Sequence, residues 1–175
     1  PGNTPLATLP ALGISGTQPA GLLGATDALT MSNASDFSLN AGAYAWQRVR
    51  ADSPAGFKGL NETLIDLWAG QTGIELNGAR ADAALKTIGQ QSFAALPATW
   101  PTGSFAEQLW TIAQSFRFNL ALRFATVDLG GWDSHIASSA LMNPLMAVLS
   151  QGLMAFYDDL GGHRDRTTVV VMTEF

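Results

Sequence analysis

The chain has 175 residues, 47% hydrophobic and 13% charged, which is long and apolar enough to bury a core. Nine basic and fourteen acidic residues give a net charge of −5, and the basic ones are scattered, which argues against nucleic-acid binding. Without cysteine the chain has no disulfide, thiol nucleophile or cysteine metal site. The apolar runs are broken well before ~18 residues, so we predict no membrane span.

Both ends of the chain suggest a piece of a larger protein. The chain does not begin with Met, and Pro1-Gly2-Asn3 is a loop-like opening. Residues 167–173 have the pattern of a buried strand, which needs a neighbouring strand and an exit loop. We therefore expect an internal, helix-rich fragment of one α/β domain.

The first third of the chain predicts little regular structure. Residues 1–58 are rich in Gly, Pro, Ser, Thr and Asn, and their leucines follow no steady helical or strand period. This composition is typical of turns and loops, yet the segment is too hydrophobic for a free linker. We predict an irregular, packed segment with short strands.

The next part, residues 59–123, is predicted to be helical. A first helix would start near Leu60 and end at Gly70 and Gly73, and a second would cover residues 77–96. Ser104 would cap a third helix, with Glu107 three residues later completing a capping box. The buried face of that third helix would carry Leu109, Ile112, Ala113, Phe116 and Leu120.

Residues 124–175 predict a strand, a loop, a helix and a second strand. The first strand stops at Gly130-Gly131, and Asn143-Pro144 suits the cap and first residue of the helix. The helix ends at Gly161-Gly162, before the Val-rich strand 167–173. One side of it would carry Leu145, Val148, Leu149, Gly152, Leu153, Phe156 and Leu160. Such a βαβ connection places its two strands parallel, which predicts an α/β fold with a mostly parallel sheet.

The polar residues that follow these strands point to a metal site. Asp133 and His135 come just after the first strand, and Glu174 ends the second. Ligands of open α/β sheets bind outside the carboxyl ends of the strands. A carboxylate and an imidazole two residues apart suit a divalent cation. Gly130, Gly131 and Trp132 would form the supporting loop.

Each of these residues also has a structural interpretation. Asp133 could form an Asx turn with His135 solvated, and Glu174 could be an ordinary polar residue at a strand end. Asp128 lies within the predicted first strand. It either points to the same edge of the sheet as Asp133 or accepts a hydrogen bond at the end of the strand. Ser134 lacks an identifiable base for a nucleophilic role. We predict that His163 is solvated in a turn at the opposite end of the sheet.

Three strings resemble domain-of-unknown-function family 1501, a bacterial family. They are FATVDLGGWDSH at 124–135, the helix LMAVLSQGLMAFYDDLGG and the strand RTTVVVMTEF. Family members commonly carry G-W-D-T-H, a helix ending in a-F-x-x-D-L, and a strand ending in T/S-E-F-G-R. The strings LATLPALGISGTQPAGLLG and ALTMSNASDFSL also resemble the stretch that precedes the family's helical region.

The resemblance implies an alkaline-phosphatase-like fold within the sulfatase-like superfamily. Such proteins bind one or two divalent metals at the carboxyl edge of a parallel sheet and hydrolyse or transfer phosphate or sulfate esters. The family usually carries a twin-arginine export signal, which implies a periplasmic or extracellular location. By position, Asp133 and His135 would match one Asp/His metal-ligand pair of the superfamily. Glu174 would lie at the next strand end, where the superfamily often has an Asp-His pair.

The chain departs from the superfamily pattern in three ways. Asp133 and His135 are two residues apart, whereas many members space the pair by four, and the next strand ends in Thr-Glu-Phe instead of Asp-His-Gly. The first strand, with the first metal ligand and the nucleophile, and the last His-bearing loop are missing. The catalytic residues are therefore unknown from this sequence.

The sequence is compatible with two candidate functions and with a third interpretation in which the domain has no functional site. The first is an exported metal-dependent hydrolase of small-molecule or polymer phosphate or sulfate esters, with Zn, Mn, Ca or Mg as its cation. The second is a non-catalytic exported protein that keeps the fold for surface binding or for assembly with a protein partner. The third is an ordinary α/β domain without a site.

Overall fold

The structure, a computed structural model, describes residues 9–25, 27–32, 66–67, 69–76, 78–79, 91, 93–133, 135 and 138–173. Its described elements include three strands and two α-helices: β1 (Ala11–Ile14), β2 (Ala28–Met31), α1 (Ser104–Arg117), β3 (Phe124–Val127) and α2 (Ser138–Asp159). Two 3₁₀ helices cover Ala20–Leu22 and Gly161–Arg166.

The described strands form one parallel sheet in the order β2-β1-β3. Ala11 of β1 pairs with Ala28 on one side and with Phe124 on the other, and the ladders continue to Ile14. All four residues of β1 are buried. The predicted mixed α/β class with a parallel sheet is confirmed, and β1 is its central described strand.

Backbone hydrogen bonds join the segments that lead into β1 and β3. The Leu9 amide donates to the Leu120 carbonyl at 2.9 Å, and the amides of Arg123 and Phe124 donate to the Pro10 carbonyl at 2.9 and 3.0 Å. These bonds fix the two strands at their amino ends. The residues that follow both strands consequently lie at one common edge.

Helix α1 is the main core helix, because it contacts β3 on one side and α2 on the other. Two of its polar side chains bond the backbone of a neighbouring loop. The Trp110 indole donates to the Ala94 carbonyl at 2.8 Å, and the Ala94 amide donates to Oε1 of Gln114 at 2.6 Å. Trp100 packs edge-on against Trp110. The predicted face is confirmed at Leu109, Ile112 and Ala113, and Phe116 is partly buried; Leu120 is buried but follows the end of the helix.

The predicted cap of α1 is wrong by one residue. Gly103 is the N-cap and Ser104 is the first helical residue, without a side-chain capping bond. The φ of Gly103 is +116°, a conformation that side chains other than glycine rarely adopt. The sharp turn is therefore made at Gly103, and the Ser104 hydroxyl comes too late to cap.

A capping box lies instead at Thr72 and Glu75, where the sequence suggested the end of a helix. The Thr72 amide donates to Oε2 of Glu75 at 2.9 Å, and the Glu75 amide donates back to Oγ1 of Thr72 at 3.4 Å. Residues 73–76 are helical, so Gly73 opens a helical turn. Residues 93–97 are not helical, so the predicted helix 77–96 extends too far; most of it lies outside the described residues.

The start of α2 was also misplaced. The helix begins at Ser138, and Pro144 lies inside it. Pro144 is exposed, so water can satisfy the Ala140 carbonyl that loses its helical donor. The helix packs on α1 through Gly152, Phe156 and Leu160, as predicted, whereas Val148 of the predicted face is exposed.

The outer side of α2 is apolar and exposed, and its exposed residues include Met146, Met154 and Tyr157. Within the described residues, Ala140–Asp159 is one helix whose length and mean hydropathy of 1.2 would allow it to cross a membrane. The opposite face already packs against Phe105 and Leu109 of α1. The absence of a membrane span stays a prediction.

The second strand of the predicted βαβ unit is not part of the sheet. Residues 167–173 are assigned to neither helix nor strand and belong to no ladder among the described residues. Val170 and Met172 are 72% and 86% exposed. The parallel partner of β3 is β1, from the opposite end of the chain, and this distant pairing was beyond the local pattern.

The contact between α1 and α2 can be tested by substitution at Gly152. A Cβ atom at this position would lie 2.9 Å from the Phe105 ring, which is itself buried. We expect Gly152→Val to lower the free energy of unfolding by about 1–3 kcal/mol through overpacking. Ala147→Val, at an exposed site of α2, should cost only about 0.5 kcal/mol in helix propensity. Equal urea midpoints for the two variants would contradict this packing.

The capping box predicts a perturbed carboxyl group. Hydrogen bonds from the Thr72 hydroxyl and then from its amide hold the pKa of Glu75 below its ordinary value. Thr72→Ala should raise that pKa, and Thr72→Ser should keep it low, in an NMR titration. Because the folded-state pKa is depressed, the stabilisation is present above the ordinary pKa and lost as pH falls through the lower one. A Glu75 pKa unchanged by Thr72→Ala would contradict the box.

Candidate metal site

The candidate loop begins where β3 ends, at the carboxyl edge of the parallel sheet. Residues 128–133 follow Val127 without helix or strand structure. Gly131 has a φ of +91°, so the loop turns at a residue without a side chain. The loop therefore lies where the sequence predicts it, just past the first strand of the predicted βαβ unit.

Trp132 fixes the loop to the preceding strand end. Its indole N–H donates to the Leu129 carbonyl at 2.6 Å, three residues back, and the side chain is partly buried. This bond closes a short turn across Gly130 and Gly131. Trp132 therefore acts as a support of the loop, and its partly buried ring sits directly before the two polar residues.

Asp133 and His135 are brought together by this turn. Oδ1 of Asp133 contacts Nδ1 of His135 and also lies 3.5 Å from the His135 amide nitrogen. The side chains are 77% and 89% exposed, so an ion or a substrate can approach them. The Asx-like contact and the metal-ligand pair are thus compatible uses of one geometry.

The contact permits two modes of metal binding. In one, the direct contact opens and an ion binds Oδ1 of Asp133 and Nδ1 of His135 together, which their exposure allows. In the other, the Asp133 carboxylate accepts from the Nδ1–H group, which leaves the Nε2 lone pair of His135 for the metal. Both modes need an unprotonated imidazole nitrogen and supply one or two ligands.

Further ligands are not gathered around this pair among the described residues. No group of three His, Cys, Asp or Glu side chains that could hold one ion is found there. Glu174, the predicted third ligand, and Ser134 both lie outside the described residues. The metal-binding role of Asp133, His135 and Glu174 therefore stays a prediction.

Ser15 is a residue at this edge that sequence reasoning missed. It directly follows β1, as Asp128 directly follows β3, and the two strands are paired up to Ile14 and Val127. The Ser15 amide donates to the Met31 carbonyl at 2.8 Å. A short strand followed by Ser-Gly-Thr was the available signal. It could be interpreted only once β1 was known to be the neighbour of β3.

His163 is not solvated, contrary to prediction. It lies half-buried in the 3₁₀ helix Gly161–Arg166, and its ring stacks on Phe116 with centroids 5.6 Å apart. Nη2 of Arg166 lies 3.2 Å from its Nδ1 atom. His163 therefore has a packing role, which makes it a useful control for His135.

The fold and loop define an α/β protein with a parallel sheet and an Asp-His pair at its carboxyl edge. The family described as "Protein of unknown function (DUF1501)" matches residues 81–175, more than half of the chain. The chain belongs to this family, as the resemblance of its loop, helix and C-terminal strings predicted. No curated protein and no solved structure matches the chain.

The loop turn can be tested with its two adjacent glycines. Alanine at Gly131 must adopt a φ near +91°, whereas Gly130 has no positive φ and open space around a Cβ atom. We expect Gly131→Ala to cost about 1–2 kcal/mol of unfolding free energy and Gly130→Ala to be close to neutral. Equal effects in urea unfolding would show that the turn does not depend on Gly131.

Proposed function

We propose that this protein is a metal-dependent hydrolase of phosphate or sulfate esters, with an alkaline-phosphatase-like fold, that works outside the cytoplasm. The observation that carries the proposal is the contact between Asp133 and His135 in an exposed loop at the carboxyl edge of a parallel sheet. The export and superfamily parts of the proposal come from the resemblance of its sequence strings.

The chemistry of the pair fits a borderline-soft divalent cation. An imidazole nitrogen and a carboxylate oxygen are common ligands of Zn²⁺ and Mn²⁺, and Ca²⁺ and Mg²⁺ would use mainly the oxygens. Such an ion would polarise the ester oxygen and position or activate the nucleophile. Glu174, six residues after Thr168, is the proposed third ligand or an orienting residue.

The role of each described residue follows from its contacts. Asp133 holds His135 in one orientation, whether or not it also touches the ion. Trp132 and Gly131 shape the turn that keeps the pair together. Ser15 directly follows β1 and so lies at the same edge of the sheet.

The test is metal content in the protein and two histidine variants. Metal-depleted protein is incubated with Zn²⁺ or Mn²⁺, gel-filtered and measured by elemental mass spectrometry. We expect stoichiometric metal in the parent and in His163→Phe, which keeps an aromatic ring against Phe116. His135→Ala should lose the metal. Equal metal in His135→Ala, or none in the parent, would contradict the site.

Activity is then measured on the same three proteins with aryl phosphate and aryl sulfate esters. Hydrolysis should depend on added metal, stop with a chelator, and be lost in His135→Ala while His163→Phe retains it. Metal binding without hydrolysis of either ester class would support the metal site but contradict the proposed reaction.

A second candidate function is favoured by the exposed apolar surface. The outer side of α2 and the segment 169–172 expose several Met and Val side chains together with Tyr157. Exposed apolar patches of this kind mark surfaces that bind other molecules. A non-catalytic exported protein that assembles with a partner would use this surface, and it takes the lead if the parent protein retains no metal.

A further inference from the structure

The two faces of the described sheet differ in their chemistry. Leu12 and Ile14 of β1 are buried in the apolar cluster that includes α1. Successive side chains of a strand alternate between the faces, so Gly13 belongs to the opposite face. Gly13 pairs with Thr30 on one side and with Thr126 on the other. The second face therefore carries a hydroxyl-bearing residue on each side of a residue without a side chain.

This polar pattern continues past the carboxyl ends of the strands. Ser15 and Asp128 directly follow the last paired residues of β1 and β3. The Ser15 amide donates to the Met31 carbonyl at 2.8 Å, so regular bonding to β2 extends to this residue. Both residues come two positions after the pair of Gly13 and Thr126, and strand alternation puts them on the same face as Thr126.

The chain leaves β1 and β3 towards opposite faces of the sheet. After β1 it folds back over Gly13, where a Cβ atom would lie 2.7 Å from Cδ of Pro19. After β3 it turns towards α2, because a Cβ atom at Gly131 would lie 3.7 Å from the Leu145 side chain. Helix α2 packs on α1, which covers the face that holds Leu12.

The strand order gives this divergence a functional meaning. In the order β2-β1-β3, the strand that follows β1 along the chain lies on one side of it, and β3 lies on the other. Open α/β sheets bind their ligands at such a point, in the crevice that forms where neighbouring loops separate at the carboxyl ends of the strands. Here the two loops are residues 15–18 and 128–133.

A buried hydroxyl group next to this crevice lacks a partner. Oγ1 of Thr126 is buried and makes no hydrogen bond. An unsatisfied buried hydroxyl destabilises a fold, so each one calls for an explanation. Thr126 is the second-last residue of β3 and shares its face with Ser15 and Asp128. A ligand hydroxyl bound at this edge would supply the missing partner.

The charge of the edge favours a neutral ligand. Asp128 and Asp133 follow β3, whereas Arg123 directly precedes it. Arg117 pairs with Asp159, where α1 and α2 both end. The arginines of the described residues thus lie towards the amino ends of the strands or in the 3₁₀ helix after α2: Arg117, Arg123, Arg164 and Arg166. Without a bound cation, an anion at the carboxyl edge would meet two carboxylates and no basic side chain of the described part.

We propose that Ser15, Thr126 and Asp128 bind the hydroxyl groups of a neutral polyol or sugar in the crevice between β1 and β3. The Asp128 carboxylate accepts hydrogen bonds from the ligand, and the Ser15 and Thr126 hydroxyls both donate and accept. This binding needs no metal. Its place in the reaction rests on the proposed function: the polyol is the alcohol part of the ester, beside the candidate metal pair Asp133 and His135.

Binding is measured by NMR titration of the complete, metal-depleted, ¹⁵N-labelled protein with glucose, mannose, galactose, myo-inositol and glycerol. We expect at least one probe to shift the amide signals of residues 15–18 and 128 in a saturable way. Ser15→Ala and Asp128→Asn should each weaken that binding, the second by about tenfold because it removes a charged acceptor. Ser150→Ala and Asp158→Asn, at exposed positions of α2, are the matched controls and should bind as the parent does.

Thr126→Val separates the binding role from a role in folding. Valine has nearly the same shape but no hydroxyl, so the free variant should unfold at a higher urea concentration than the parent. The same variant should bind the polyol severalfold more weakly, whereas Thr126→Ser should retain binding. A Thr126→Val variant that binds as tightly as the parent would remove this hydroxyl from the site.

The absence of a saturable shift with all five probes would overturn the proposal. Saturable shifts with inorganic phosphate or sulfate, and with none of the polyols, would overturn the ligand class and assign an anion to the crevice. Polyol binding by a protein that retains no metal would support this site and contradict the hydrolase. Metal-dependent ester hydrolysis without polyol binding would support the hydrolase and contradict this site.

Discussion

The pairing of β1 with β3 is the interaction on which the described structure depends. It joins a four-residue strand near the start of the chain to one that lies more than a hundred residues later. The amides of Arg123 and Phe124, both bonded to the Pro10 carbonyl, fix where this pairing starts. Once it is fixed, the loop after β3 must leave the sheet at the carboxyl edge, and Asp133 and His135 go with it.

Helix α1 holds this pairing in place by covering the sheet on one side. Its buried residues include Thr111, Gln114 and Ser115, and hydrogen bonds lower the cost of burying their polar atoms, although Nε2 of Gln114 is buried without a partner. Ser115 donates to the Thr111 carbonyl within the helix, and Trp110 and Gln114 bond the backbone of Ala94. On the other side, Arg117 pairs with Asp159 of α2 and lies over the Trp110 ring. The two helices are thereby joined at their carboxyl ends.

The parts predicted correctly from the sequence are those with local causes. The strand at β3 and the face of α2 that holds Phe156 follow from residue spacing within a few turns, although β3 ends at Val127, three residues before Gly130. The contact between Asp133 and His135 is local as well, because the residues are two positions apart. That is why the candidate pair was identifiable, whereas the neighbouring Ser15 was not.

The failures have physical reasons of two kinds. At two helix starts the local preference of a residue does not decide the structure. Ser104 favours an N-cap position, but the positive φ of Gly103 places the cap one residue earlier. Pro144 favours the first turn of a helix, but it lies inside α2, where the exposed carbonyl that loses its donor can bond water. At β1 the deciding partner, β3, is distant in sequence. A strand of four residues has too short a pattern to reveal its neighbour.

The distance between β1 and β3 along the chain also has a kinetic consequence. On a ribosome that adds about 5–20 residues per second, β1 would wait on the order of ten seconds for the strand that pairs with it. Its residues, all buried in the finished fold, would spend that interval exposed, and closing so long a loop slows folding further. We therefore expect a chaperone to bind the exposed, apolar β1 segment during synthesis, until β3 is available to pair with it.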